Sequence, residues 1–269
     1  MAYRDLDRPP LDAAVLRTAL VGPDTFWTDV VVTAETGSTN ADVAAAARAG
    51  GPEGTIHTTD LQTAGRGRMD RVWESPAGSG LIVSVLLRPA EVPAGRWVWL
   101  PLLVGLAVDA TARECGVGSG LKWPNDVLVD GRKLAGILLE RVDTPLGAAA
   151  IIGVGLNVSM RSDELPVETA TSLALEGAAE TDRTVVLRVF LRNLEALYRA
   201  WSASGGDPAA GIRDSYVRRC VTLGTRVRVS LPDGSSLEGQ ATGIDELGRL
   251  LVDGSAISAG DITHVRPAT

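Results

Sequence analysis

Apolar and polar positions change their period several times along this chain, and each change marks an element. Over residues 11–20 (LDAAVLRTAL) the apolar positions recur at helical spacing, and Gly22-Pro23 stops the run. Residues 28–34 are rich in β-branched types and read as a strand, and residues 54–60 read as the next one. Between them, ADVAAAARAG is helical, with Ser38, Thr39 or Asn40 as its N-cap and Gly50-Gly51-Pro52 as its stop. Residues 81–87 (LIVSVLL) are apolar almost without a break, as in a strand buried on both faces. Helical spacing returns over 97–115, ahead of Gly116. Residues 127–129 and 134–140 flank Asp130-Gly131-Arg132-Lys133, where Asp-Gly predicts a hairpin turn. An apolar strand over 148–158, a long amphipathic helix over 184–202 and a short helix over 208–219 follow. From about Thr222 the segments shorten. TRVRVSL, SLEGQATGID, GRLLVDG, SAISAG and ITHVRP alternate with Gly-containing turns, the pattern of a small all-β barrel. The pattern predicts two parts, one of interspersed helices and strands over residues 1–220 and a small all-β barrel over residues 221–269.

Composition narrows the class. The 269 residues are 45% apolar, enough for a sizeable core. A net charge of −7 argues against a general nucleic-acid binder. The two cysteines, Cys115 and Cys220, show neither metal-ligand spacing nor a disulfide framework, which suits a reducing cytoplasm. The N-terminal stretch has no apolar core of secretory length, and no apolar run approaches a membrane span.

In so acidic a chain, Gly65-Arg66-Gly67-Arg68-Met69-Asp70-Arg71-Val72-Trp73 stands out. Glycines free the backbone, and arginines hold phosphate or carboxylate oxygens, although a solvated basic loop has the same composition. Lys122-Trp123-Pro124-Asn125-Asp126 places a carboxylate where a turn enters a strand. There Asp126 can hold magnesium, take a proton from a nucleophile, or simply begin an Asx-turn. Lys133 sits at the mouth of an apolar strand, within reach of a carboxylate and a phosphate, or with its ammonium in water. Gly153-Val154-Gly155-Leu156-Asn157 offers strand glycines that admit a ligand or another backbone, and Asn157 brings donors and an acceptor. His57 and His264 have no nucleophile or second ligand nearby in sequence and read as structural. Neither a P-loop nor a dinucleotide fingerprint is present.

Cations on a glycine loop, a lysine, a carboxylate and a tryptophan are the equipment for joining an organic acid to a nucleotide as an acyl-adenylate. Several motifs then occur in register. They are Ser38-Thr39-Asn40, Gln62-Thr63-Ala64-Gly65-Arg66-Gly67-Arg68 with Arg71, Trp73 and Ser75-Pro76, then Lys122–Asp126, Lys133–Leu138 and Thr171-Ser172-Leu173. Together they resemble the biotin protein ligase family, and Gly239–Asp245 resembles that family's C-terminal SH3-like barrel. The resemblance implies an α+β fold, with a catalytic domain like that of class II aminoacyl-tRNA synthetases in which a mixed sheet is flanked by helices. It implies that biotin and MgATP form biotinyl-5′-AMP, and that the biotinyl group passes to one lysine of a biotin carboxyl carrier domain.

By the same resemblance, Ser38, Thr39, Asn40 and Gln62 would hold the ureido ring. Gly65, Arg66, Gly67 and Arg68 would lie along the valerate and phosphate, and Lys133 would bridge the biotin carboxylate and the α-phosphate. Arg71, Trp73, Asn125, Asp126 and Asn157 would form the ATP side, with magnesium at Asp126. The catalytic groups would be Lys133, Arg68 and Asp126. Met69-Asp70 stands where relatives carry another basic residue, which would weaken the charge on the ATP side. Some members of the family carry an N-terminal DNA-reading module. The 37 residues before Ser38 supply one helix and one strand, so DNA is not expected as a partner, and with no apolar run of membrane-spanning length neither is a membrane. A monomer or a weak ligand-dependent dimer is expected. A lipoate ligase on the same scaffold and a biotin sensor without turnover are the competing readings.

Overall fold

The structure is a computed structural model that describes residues 8–264 apart from 70 and 232. Asp70, the first seven residues and the end of the last barrel segment lie outside the described residues. The elements run α1 (Ala13–Leu20), β1 (Asp29–Thr36), α2 (Thr39–Arg48), β2 (Thr55–Gln62), β3 (Gly80–Leu87), α3 (Leu100–Glu114), β4 (Gly120–Lys122), β5 (Asp126–Val129), β6 (Arg132–Thr144) and β7 (Gly147–Asn157). They continue with α4 (Arg183–Ala203), α5 (Ile212–Arg219), β8 (Arg226–Ser230), β9 (Ser236–Ile244), β10 (Leu250–Val252), β11 (Ser255–Ile257) and β12 (Asp261–His264).

Local chemistry explains most boundaries. Asp12 and Asp182 cap α1 and α4, each accepting two backbone N–H groups. Gly116, at φ +89°, ends the turn after α3 in a conformation that side chains resist. Asp130 and Gly131 both have positive φ, as a two-residue hairpin turn requires, so the predicted β5–β6 hairpin is present. The helix expected over 97–115 is split, with a 3₁₀ segment over Ala94–Trp99 before α3 begins. That over 208–219 is split in the same way, by the left-handed Gly211.

Strands β1 to β7 form one mixed sheet in the order β1-β2-β3-β7-β6-β5-β4, in which only β1 and β2 run parallel. All eight positions of β3 are buried, so this strand has cover on both faces. Helix α2 lies across β2, β3, β6 and β7 on one face. Its Val43, Ala44 and Ala47 pack on Leu86, Val142, Ala149 and Ile151. Helices α3 and α4 pack together under the other face.

Strands β8 to β12 form a second, antiparallel sheet in the order β11-β10-β9-β8-β12. Its core side chains, such as Val227, Ala241 and Leu250, are continuous with the core of the large sheet. The indole N–H groups of Trp99 and Trp123 donate to the carbonyls of Glu246 and Gly248, both at 2.9 Å. Arg213 on α5 donates to the carbonyl of Ile244 at 2.9 Å. These contacts press the second sheet against the end of the first where β5 and α3 begin.

One buried group of this fold makes stability depend on pH. His57 on β2 is buried, with Nε2 3.1 Å from Thr33 Oγ1 and Nδ1 3.4 Å from Asp42. Burial depresses its pKa, and the attraction of Asp42 only partly opposes this. The native ring therefore stays neutral at pH values where the unfolded ring takes a proton. The stability present above about pH 6.5 is lost as the pH falls through the unfolded and then the folded pKa. Denaturant unfolding at about pH 7.5 and about pH 5.5 should show a larger loss for the wild type than for His57→Gln. Equal losses would contradict a neutral buried imidazole.

Candidate active site

The register of the large sheet lays out the site in rows. Asp126, Gly136, Gly155, Ile82 and Thr59 pair across β5, β6, β7, β3 and β2. Leu138, Gly153, Ser84 and His57 make the neighbouring row. Gly136, Gly153 and Gly155 thus form a strip without Cβ atoms in mid-sheet. The missing atoms leave space that other side chains occupy. A Cβ on Gly155 would lie 2.3 Å from the ring of Trp73, and one on Gly153 would lie 2.3 Å from Asn40 Oδ1. Above this strip, between α2 and the arginine loop, is a cleft of about 860 Å³ counting its open mouth.

The closed end of the cleft is polar and buried. Ser38, Thr39 and Asn40 open α2, and all three are buried. Ser38 occupies the N-cap position but makes no side-chain cap, so its hydroxyl is left for other partners. The Thr39 backbone N–H donates to Gln62 Oε1 at 2.9 Å, and its hydroxyl lies 2.7 Å from Ser84 Oγ. Ser84 in turn donates to Asn40 Oδ1 at 2.6 Å, and Asn40 Nδ2 donates to Glu140 at 2.7 Å. Burial at this cost is tolerated because Thr39, Asn40 and Ser84 each have a partner.

The open side carries the charge. The loop folds back as a narrow turn. Gly67 N–H donates to Arg71 O at 2.6 Å, and Trp73 N–H donates to Gly65 O at 3.0 Å. Gly65 has to be glycine here, since a Cβ would lie 2.3 Å from the carbonyl of Trp73. Each arginine of the loop has a protein partner. Arg66 pairs with Glu140 at 3.1 Å, and Arg68 donates to Asn125 Oδ1 at 3.0 Å. Arg71 pairs with Asp261 of β12 in the second sheet.

Burial lowers the pKa of Arg68 against the pull of Asp126 and Asp261, yet a guanidinium so shifted still carries its proton at neutral pH. The hydrogen bond to Asp261 raises that of Arg71. Asn125 is itself fixed, donating through Nδ2 to the carbonyl of Ile137 at 2.9 Å.

Lys133 reaches the cleft because of a bulge. The β5–β6 register jumps from Val127–Ala135 to Leu128–Lys133, and the extra residue, Leu134, resets the alternation of β6. Lys133 thereby shares the face of Gly136, whose absent Cβ would lie 3.2 Å from Nζ. Its ammonium is 2.7 Å from Asp126 Oδ1, an ion pair without hydrogen-bond alignment, and 5.6 Å from the centre of the Trp73 ring. Lys122 stands 3.9 Å from the other Asp126 oxygen. Trp73 Nε1 is buried with no partner among the described residues, a donor left over beside the cleft.

The comparisons with known proteins fit this geometry. The model of the Biotin/lipoate A/B protein ligase family matches residues 39–157, and that of the Biotin protein ligase C terminal domain matches residues 222–265. The chain is 44% identical to the Biotin--[acetyl-CoA-carboxylase] ligase of Mycobacterium tuberculosis, over 99% of this chain and 100% of that one. The chain belongs to the biotin protein ligase family. It is also 36% identical to the Bifunctional ligase/repressor BirA of Bacillus spizizenii, over 88% of this chain and 72% of that one. Among solved structures, the biotin protein ligase from Aquifex aeolicus in complex with biotin and ATP aligns with a TM-score of 0.75 at 28% identity. That alignment covers 89% of this chain and 100% of that one.

Within the biotin protein ligase fold, twelve residues expected at the site line the cleft: Ser38, Thr39, Asn40, Gln62, Arg66, Gly67, Arg68, Arg71, Trp73, Asn125, Asp126 and Lys133. Gly65 acts from behind by letting the turn close. Asn157 does not line the cleft. It is buried, and its Nδ2 donates to the carbonyl of Thr171 at 2.8 Å, tying the segment after β7 to the start of β6. Three participants went unread in the sequence: Ser84 inside the apolar run of β3, Glu140 far along β6, and Asp261 in the barrel. The first two lie on the glycine face of the sheet, placed there by the pairing of β3 and β6 with β7.

The Arg71–Asp261 pair fastens the loop to the second sheet, but both side chains are partly exposed, so its strength is that of a surface ion pair. Asp261→Ala should speed tryptic cleavage at Arg68 and Arg71 about two- to five-fold, as the loss of up to ~1 kcal/mol implies. Unchanged cleavage kinetics would show that the pair does not restrain the loop.

Proposed function

We propose that this chain activates biotin with ATP and transfers it to a lysine of a biotin carboxyl carrier domain. The observation that carries this reading is the polarity of the cleft. One end is a closed set of hydroxyl and amide groups suited to a cyclic urea. The other gathers Arg66, Arg68, Arg71 and Lys133, which suit a carboxylate meeting a triphosphate.

In the first step a carboxylate oxygen of biotin attacks the α-phosphorus of ATP, and pyrophosphate leaves. The two reactants are both anionic, so the barrier includes their repulsion. Lys133 counters it by leaving Asp126 for the approaching oxygens, with Arg68 beside it. Trp73 covers the Cβ-free strip, excludes water and presents a ring face to a planar group. In the second step the acceptor lysine, as a neutral amine, attacks the acyl carbon and AMP leaves. Asp126 can take the proton that the amine sheds.

Among the described residues no cluster of three or more His, Cys, Asp or Glu could hold a metal ion on its own. The single carboxylate of Asp126 fits a magnesium that arrives on the triphosphate, where the ion would neutralise phosphate charge. Among the described residues no helix is long and apolar enough to cross a membrane.

Incubation with biotin, MgATP and a carrier domain tests the reading. Labelled carrier is expected, and tight biotin binding without labelling would favour a sensor. Lys133→Ala should slow adenylate formation about 10²–10³-fold, the range for removing one donor aimed at developing charge. Its melting temperature should stay close to wild type, because the ammonium lies outside the apolar core. A parallel collapse of melting temperature and activity would count against a catalytic role.

A further inference from the structure

We propose that Glu140 and Ser84, neither of which lines the cleft, set the direction of the hydrogen bonds at its closed end and thereby select a ring N–H beside a carbonyl. This rests on the biotin reading above and deepens it. The argument is one of proton counting. The Glu140 carboxylate, paired with Arg66 at 3.1 Å, can only accept. Asn40 must therefore turn Nδ2 toward it, at 2.7 Å, which leaves Oδ1 facing Ser84. Ser84 has a single hydroxyl hydrogen, and the 2.6 Å contact to Asn40 Oδ1 uses it. The 2.7 Å contact between Ser84 and Thr39 then requires Thr39 to donate. The Thr39 proton thus points to the back wall, and its lone pairs are what it offers to the cleft.

A second chain fixes the neighbouring group. The backbone N–H of Thr39 can only donate, so the amide of Gln62 must present Oε1 to it, at 2.9 Å. The 3.1 Å approach of Thr39 Oγ1 to the same oxygen takes at most a minor share of the hydroxyl hydrogen. Gln62 Nε2 is left as a donor, and Gly65 leaves it room, because a Cβ there would come within 2.8 Å. The closed end therefore shows an acceptor from Thr39 next to a donor from Gln62. That pair complements an N–H adjacent to a C=O, as in a cyclic urea.

The register makes this relay possible. Ser84 stands opposite Gly153 on the neighbouring strand, and Gly153 leaves the space that Asn40 fills. Glu140 lies two residues beyond Leu138, the partner of Gly153 on β6. Without the carboxylate, Asn40 is free to turn over. Ser84 and Thr39 can then reverse, and Thr39 would aim a proton at the ligand's N–H. Glu140 and Ser84 are positioning residues that act on the ligand through Asn40 and Thr39.

The test compares the full-length wild type with Ser84→Ala, Glu140→Met and Glu140→Gln, using biotin, MgATP and a carrier domain. Ser84→Ala and Glu140→Met should raise the KM for biotin about ten- to a hundred-fold and leave that for ATP within about three-fold. Both should also lose most of the preference for biotin over an analogue methylated on one ring nitrogen. Glu140→Gln keeps an oxygen that accepts from Asn40 and should recover most of what Glu140→Met loses. Glu140 is partly exposed, so its variants carry the test even if the buried change at Ser84 prevents folding. An equal rise in both KM values would overturn the proposal, as would an undiminished preference for biotin over the methylated analogue. Failure of the wild type itself to label a carrier would strike the ligase reading instead.

Discussion

The site depends on three absent atoms. Gly136, Gly153 and Gly155 meet in register in the middle of a sheet whose neighbouring positions on that face include the bulky Ile82, Leu86, Leu138 and Ile151. Any Cβ at Gly153 or Gly155 would collide with Asn40 or Trp73 at 2.3 Å. A packed interior normally leaves no such space. Removing the side chains from one strip makes a trough, and everything else in the cleft takes its place from it. Asn40 descends into the trough from α2, Trp73 lies over it from the loop, and Lys133 comes alongside it through the bulge at Leu134.

Charge is then arranged so that it is satisfied before any substrate arrives. Lys133 rests on Asp126, Arg66 on Glu140 and Arg71 on Asp261, while Arg68 meets the neutral amide of Asn125. Four cations held close together in a partly buried cleft would otherwise repel one another and lose hydration. On the function proposed above, the carboxylates hold the places of the anions that the reaction brings together. Exchange of one carboxylate for another, or for a phosphate, changes little in net charge, so the cations can turn to a substrate without being stripped bare. Asp261 extends this arrangement into the second sheet and ties the loop to a part of the chain almost two hundred residues away.

Much of this was readable in the sequence, for reasons that differ from residue to residue. The continuous apolar run of β3, the Asp-Gly hairpin and the change of texture after Thr222 are local signals, and each appears where the pattern placed it. Arg66, Arg68, Lys133 and Asp126 announce themselves because cations around glycines, and a carboxylate after Trp-Pro-Asn, are rare arrangements in an acidic chain. The partners of these residues were hidden. Ser84 is one hydroxyl in a run of aliphatic residues, and its role comes from the strand beside it. Glu140 and Asp261 reach the cleft only through pairing between distant segments. Asn157 was misplaced for the opposite reason. Alternation along β7 does put it on the face of Gly153 and Gly155, but at the strand end its amide serves the backbone at Thr171 and not the cleft. Alternation within a strand is legible, whereas the register between strands is fixed by the whole fold.

The most direct test of this account is a crystal structure with a hydrolysis-resistant biotinyl-adenylate mimic. The account predicts the linking phosphate within hydrogen-bond distance of Lys133 Nζ and Arg68, the ureido ring against Thr39 and Gln62, and the mimic lying along Gly153 and Gly155. A mimic bound elsewhere, with Lys133 still seated on Asp126, would contradict it.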